Sequence, residues 1–199
     1  MMKIVLATTN KGKISEVTKM LRGLPFEIMS LSDFDTTEVI ETGKSFRENS
    51  ELKASSYAAQ TKHWTIADDS GLEVYALDNA PGIFSARFAG ESASDQENTR
   101  KLLEALSGID DDNRSARFVC SISIANNFGE IQYSATGICS GLIAKNARGL
   151  NGFGYDPVFI PEGFEKTFGE LDHSVKQEIS HRSKALKQII TFLSKFPSS

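Results

Sequence analysis

The apolar positions of this chain change period as it runs, and each change marks an element. Lys3 to Ala7 is a short continuous apolar run that predicts a buried strand, and Ile14, Val17, Met20 and Leu21 then recur at helical spacing up to Gly23. Phe26 to Ser30 predicts a second strand, and Ser32 to Thr42 a polar, acidic loop. Ser45 opens a helix with Glu48 at capping-box spacing. Leu52 and Ala58 mark its buried side, which leaves the stripe Phe46, Asn49, Lys53 and Tyr57 as a solvated face. Trp64 to Ala67 predicts a buried strand, and Leu72, Val74 and Ala76, alternating with Glu73 and Tyr75, predict a half-buried one. A second capping box, Ser94 with Glu97, opens a helix carrying Leu102, Leu103 and Leu106 that ends near Gly108.

Strict alternation of Phe118, Cys120, Ile122 and Ile124, a turn at residues 126–129 and a long partner at residues 131–143 make the clearest hairpin in the chain. Val158 to Ile160 predicts a short strand. A last helix, from about Ser180, buries Leu186, Ile189, Ile190, Leu193 and Phe196.

Candidate chemistry sits where these patterns break. Ala67-Asp68-Asp69-Ser70-Gly71 puts two carboxylates at the end of a predicted strand, where α/β proteins present ligands. Adjacent strand residues face opposite ways, so the two aspartates have different partners. A hard cation such as Mg²⁺ takes oxygen ligands, often one or two carboxylates completed by phosphate and water. The same residues also suit a turn, and both readings stand. Glu41, just before the helix at Ser45, has two readings as well: a second metal ligand, or a charge that complements the helix dipole.

Thr8-Thr9-Asn10-Lys11-Gly12-Lys13 lies between a predicted strand and a helix N-terminus, with free backbone N–H groups and lysine charge for an anion. Its spacing is not that of a Walker A loop. Gly149-Leu150-Asn151-Gly152-Phe153-Gly154-Tyr155-Asp156-Pro157 offers close backbone approach and two aromatics for stacking a flat group, with Asp156 held by the proline after it. Arg87, amid apolar residues, calls for an anionic partner, for which a protein carboxylate is expected. His181 and Arg182 fall in the first turn of the last helix, where an uncompensated cation opposes the dipole. A guanidinium there matches the O6 and N7 acceptors of a 6-oxopurine and meets a donor at the amino group of adenine.

Composition narrows the classes. The chain has 199 residues, 40% hydrophobic and 24% charged, with a net charge of −4, which suits one globular domain and argues against broad nucleic-acid binding. Asp110 to Asn113 reads as a solvated loop. Cys120 and Cys139 lack metal spacing and read as buried reduced thiols. The apolar stretch at the N-terminus is too short for a signal peptide and no run reaches membrane-spanning length, so a cytoplasmic protein is expected.

Six stretches in order, residues 8–13, 41–49, 67–72, 80–87, 152–157 and 179–182, together resemble the inosine/xanthosine triphosphate pyrophosphatase (Ham1-like) family, over essentially the whole chain. Two departures are small: Thr9 and Ser183 stand where glycine is frequent in that family. The resemblance implies a single ITPase-like domain over residues 1–199. Its fold would be α/β, a long mixed central sheet flanked by helices in two lobes, with the active site in the cleft between them.

The activity implied is hydrolysis of ITP, dITP and XTP to the monophosphate and pyrophosphate with Mg²⁺, Mn²⁺ being a substitute, by a homodimer that binds neither nucleic acid nor membrane. By the same resemblance Thr8, Thr9, Asn10, Lys11, Gly12, Lys13 and Lys53 hold the triphosphate. Glu41 and Asp69 hold the metal, Ser70 binds the nucleotide, and Asp69 is the proton acceptor with Asp68 beside it. Phe153, Gly154, Tyr155, Asp156, Lys176, His181 and Arg182 form the base pocket. A Maf-like pyrimidine or modified-nucleotide pyrophosphatase and a non-catalytic nucleotide sensor are the alternatives.

Overall fold

Apolar periodicity and caps set most of the elements. The computed structural model describes residues 2–23 and 25–196, so Met1, Leu24 and the last three residues of the expected 1–199 domain lie outside the described residues. The strands are β1 (Met2–Leu6), β2 (Phe26–Ser30), β3 (Trp64–Val74), β4 (Ser115–Ala125), β5 (Ile131–Ile143) and β6 (Phe159–Pro161). The helices are α1 (Lys11–Leu21), α2 (Phe46–Thr61), α3 (Asp95–Ala105), α4 (His173–Ile179) and α5 (His181–Leu193). The strands form one sheet in the order β2-β1-β3-β4-β5-β6. It is mixed, since β1 runs parallel to β2 and β3 while β5 and β6 are antiparallel. The class is α/β.

The chain divides into two compact units. One comprises Met1–Asp69, Cys120–Gly137 and Arg182–Ser199, the other Ser70–Val119 and Ile138–His181. In the first, sheet residues alternate between two helical layers, as the period of a strand requires. Ile4, Leu6, Ile66, Cys120, Ile122 and Ile124 pack with Val17 and Leu21 of α1 and with Leu186, Ile189 and Leu193 of α5. Val5, Ala7, Ala67 and Ala125 face the other way, onto Ala54, Tyr57 and Ala58 of α2. Burial of such side chains is worth about 1.5–3 kcal/mol each for the larger ones. In the second unit Leu102 and Leu106 pack with Leu72, Val74, Phe118, Ile143, Phe159 and Phe168.

Several expectations need correction. The two strands read around Asp68-Asp69-Ser70-Gly71 are one continuous strand, so these residues form no turn, the aspartates lie mid-strand, and residues 75–77 leave the strand as a 3₁₀ turn with Ala76 exposed. The face of α2 expected in solvent is the buried one. Asn49, Tyr57 and Phe46 are buried, and of the two residues expected inside Ala58 is buried while Leu52 is exposed, because α2 covers a sheet face that mixes apolar residues with polar ones such as Ser123, which Ser50 meets at 2.8 Å. Ser45 caps α2 by accepting the Glu48 N–H, while the Glu48 carboxylate turns back to Lys44 N instead of the cap. Ile190 and Phe196 are half-buried, and the short helix α4 carries too few apolar repeats to have announced itself.

Candidate functional site

In the first unit α1, β3, α2 and α5 bring the charged candidates together. The Asn10 side chain accepts Lys13 N–H at 3.1 Å, so the phosphate-loop candidate is also the cap of α1. Thr9, Asn10 and Lys11 are exposed there, Thr8, Gly12 and Lys13 half-buried. Asp68 and Asp69 point to opposite faces of β3 and meet different partners. On one face Asp68 receives Lys13 Nζ at 2.9 Å and Arg182 Nε at 3.4 Å. Arg182 also pairs with Glu16 of α1. The premise of an uncompensated cation at the start of α5 is therefore wrong, since tertiary carboxylates supply the compensation.

On the other face Asp69 Oδ2 accepts a hydrogen bond from Asn49 at 3.1 Å, and Lys53 Nζ lies 3.7 Å from Asp69 Oδ1 and 2.7 Å from Glu41 Oε1. Glu41 is thus brought to the same lysine as Asp69, which its position in the sequence left open.

Electrostatics separates the two neighbours. Burial pushes the Asp68 carboxyl up, but the Lys13, Arg182 and Lys53 cations outweigh it and hold the group well below the usual carboxylate range. Asp69 goes the other way. Burial raises it and the Glu41 charge adds to that, and the opposing pull of Lys53, Lys13 and Asn49 is insufficient. Lys53 resists the effect of its own burial because Asp69, Asp68 and Glu41 surround it. Asp68 is thus held as an anion at neutral pH, while Asp69 is a carboxylate with raised proton affinity. Cys120, which faces Asp68 at 3.9 Å, is pushed up to about 12 by burial and by that carboxylate.

The Glu41 and Asp69 oxygens converge on the place of one ammonium group. Two carboxylates and no softer donor fit a hard divalent cation whose remaining positions go to phosphate and water. Among the described residues no group of three or more histidine, cysteine or carboxylate side chains stands ready to hold a metal by itself.

The second unit holds the other candidates. Ser70 is half-buried on β3. Asp156 is buried, with Lys176 Nζ at 2.5 Å from Oδ2 and Phe153 N–H donating to the same oxygen at 2.8 Å. It is thus held by an ion pair and a backbone bond, more than by Pro157. A Cβ on Gly152, whose φ is +79°, would come within 1.9 Å of that oxygen, which is why the loop needs glycine there. Lys176 also lies over the Phe153 ring at 4.5 Å.

Phe153 and Gly154 are half-exposed. Tyr155 is not a surface stacking group; its ring is buried and its hydroxyl donates to Ser85 O at 2.8 Å. His181 is buried and stacks on Phe118 at 4.7 Å. Arg87 has the expected carboxylate, Glu91, at 3.6 Å, but is only partly buried. The segment expected as a loop holds a 3₁₀ turn, Asp111–Asn113, whose exposed Asp111 pairs with Lys145. Sequence reading missed two site neighbours: Glu16, one helical turn after Lys13, and Asn49, whose signal was an amide in a helical stripe with Lys53.

The Ham1 family model matches residues 4–192, and the chain belongs to that family. Its fold and relatives agree. It is 47% identical over 195 residues to the dITP/XTP pyrophosphatase of Desulforamulus reducens, covering 98% of this chain and 96% of that protein. It is 43% identical over 194 residues to that of Coxiella burnetii, with 97% of each covered. Among solved structures a HAM1 protein from Coxiella burnetii matches with a TM-score of 0.91 at 42% identity, covering 98% of this chain and all of that one. The Staphylococcus aureus Ham1 protein matches with a TM-score of 0.87 at 40% identity, covering 97% and 98%.

Proposed function

We propose that this chain is a hydrolase acting on phosphoric anhydrides, a pyrophosphohydrolase that clears dITP, XTP and ITP from the nucleotide pool. The reading is carried by near-complete matches to proteins named dITP/XTP pyrophosphatase. The opposed environments of Asp68 and Asp69 supply its chemistry. Water attacks the α-phosphorus, the bond from that phosphorus to the bridging oxygen breaks, and pyrophosphate leaves. Asp69 takes the proton of the attacking water. Glu41 and Asp69 would hold Mg²⁺, or Mn²⁺ in its place, and the ion when bound would neutralise phosphate charge.

Thr8 to Lys13 and Lys53 hold the triphosphate, and Asp68 keeps Lys13 and Arg182 in place. Ser70 contacts the nucleotide, and Phe153 to Asp156, Lys176, His181 and Arg182 form the base pocket, with Tyr155 and Asp156 acting as its frame. The chain works as one ITPase-like domain in a cytoplasmic homodimer and needs neither nucleic acid nor membrane. Among the described residues no helix is long and apolar enough to cross a membrane.

The test is product analysis with Mg²⁺ against dITP, XTP, ITP, GTP, ATP and dTTP, following pyrophosphate and orthophosphate separately. Pyrophosphate from dITP, XTP and ITP, with ATP and GTP nearly untouched, is expected. Asp69→Asn should lower kcat at least about 100-fold, the scale of losing one positioned electrostatic group. Preference for dTTP would favour a Maf-like enzyme, and binding without turnover a sensor.

A further inference from the structure

Asn49 lies on α2 one turn before Lys53, is only 2% exposed, and spends both ends of its amide on the site. Its Oδ1 accepts the Gly43 N–H at 2.8 Å and its Nδ2 donates to Asp69 Oδ2 at 3.1 Å. The orientation is chemically forced, because a backbone N–H can only donate, so the amide oxygen must face Gly43 and the NH₂ must face the carboxylate. Gly43 stands two residues after Glu41. It is pressed so close that a Cβ there would lie 2.6 Å from Asn49 Oδ1 and 2.7 Å from Glu48 Cβ. Neighbouring groups of α2 secure the same loop. Tyr57 accepts Val39 N–H at 3.2 Å, Gln60 accepts Thr37 N–H at 2.8 Å, and Glu48 accepts Lys44 N–H at 2.7 Å. Of these four side chains, Asn49 is the one bonded to Asp69 as well.

We propose that Asn49 is a positioning residue, its amide locking the Asp69 carboxylate and the backbone that carries Glu41 into one geometry around Lys53. The inference rests on the reading of Asp69 as the reacting carboxylate. A buried amide that merely supported the loop would need only its Gly43 bond. A hydrogen bond to a carboxylate at this depth holds Asp69 Oδ2 in direction and leaves Oδ1 turned to the lysine. Geometry of this kind acts on turnover more than on substrate affinity.

Asn49→Asp separates the two halves. It keeps an acceptor for Gly43 at the same place but removes the donor and sets a carboxylate against Asp69. Two measurements are made: kcat and KM for dITP with Mg²⁺, and amide hydrogen exchange of Gly43 by NMR in the metal-free, nucleotide-free protein. Asn49→Asp should retain Gly43 protection while kcat falls about 10- to 150-fold, the range for a hydrogen bond to a charged group. KM should stay within about threefold, because the lost interaction is made with a reacting group and not with substrate. Asn49→Ala should lose Gly43 protection and kcat together. Gly43→Ala, which crowds the amide without replacing it, should lower kcat in the wild-type background and add little to Asn49→Ala.

Wild-type kcat in Asn49→Asp overturns the proposal, as does a raised KM with kcat unchanged or loss of Gly43 protection in that variant. Wild-type protein that turns over none of the triphosphates refutes the reading of Asp69 and the catalytic half of this inference with it. Turnover in the wild type with an unaffected Asn49→Asp refutes this inference alone.

Discussion

Replacing Lys176 with methionine keeps the length and most of the volume of the side chain and deletes its charge. In the native protein the ammonium lies 2.5 Å from Asp156 Oδ2, with the two side chains 7% and 2% exposed. The variant leaves a carboxylate buried without that cation, still accepting the Phe153 N–H. Removing one partner of a buried ion pair costs about 3–5 kcal/mol, because the remaining buried charge loses its close counter-ion. Loss of the cation over the Phe153 ring acts in the same direction. With a urea m-value of about 2–3 kcal/mol/M, the unfolding midpoint should fall by about 1–2.5 M.

The assay is urea denaturation followed by far-ultraviolet circular dichroism at pH 7. The double variant Asp156→Asn/Lys176→Met, which retains an acceptor for Phe153 N–H and strands no charge, should recover most of the loss. A midpoint shift below about 0.3 M in the single variant would refute the burial argument, since such a shift is within the scatter of surface substitutions. A double variant as unstable as the single would assign the loss to packing instead of charge.

Asp68→Asn should cost about 3–5 kcal/mol at neutral pH, because Lys13 and Arg182 lose a buried counter-charge. The native pKa of Asp68 is depressed, so its contribution is fully present above the ordinary carboxylate value near 3.9 and is lost only as pH falls toward the native value. The stability gap between wild type and variant, measured by denaturation from pH 8 to pH 3, should therefore be flat down to about pH 4 and narrow only below it. Cys120 and Cys139 are both buried, and with Cys120 pushed up to about 12, iodoacetamide at pH 8 should modify neither in the folded protein and both after denaturation, read by mass spectrometry. Tyr155→Phe removes the donor to Ser85 O and should lower stability by roughly 1–3 kcal/mol, seen as a lower urea midpoint.

The residues that read correctly from sequence are those whose signal is local. Ser94 and Glu97 close a capping box because both groups lie within one turn. Cys120, Ile122 and Ile124 alternate because one face of β4 packs on a single apolar layer. Asn10 caps α1 through an equally local bond to Lys13 N–H, although the sequence marked that stretch only as a candidate anion loop. The stripe Asn49–Lys53–Tyr57 failed for the opposite reason. Periodicity identifies a buried face by its apolar residues, and α2 buries a mixed one, whose Asn49 and Ser50 meet the carboxylate of Asp69 and a serine of β4. The single Gly71 and the polar run 68–70 looked like a turn because turn propensity is judged residue by residue, whereas a strand in mid-sheet is held by its neighbours on both sides.

By itself the sequence determined the α/β class, the positions of most strands and helices, the family, and which residue types carry chemistry, since period, caps and motif order are all written along the chain. The tertiary structure alone decided which partners those residues have. Two adjacent aspartates of equal intrinsic acidity become a permanent anion and a raised carboxylate only because β3 turns one toward Lys13 and Arg182 and the other toward Asn49, Lys53 and Glu41. Proton affinity depends on charges within a few ångströms and on burial, and residues 13, 41, 49, 53 and 182 reach that distance from residues 68 and 69 only when the chain has folded.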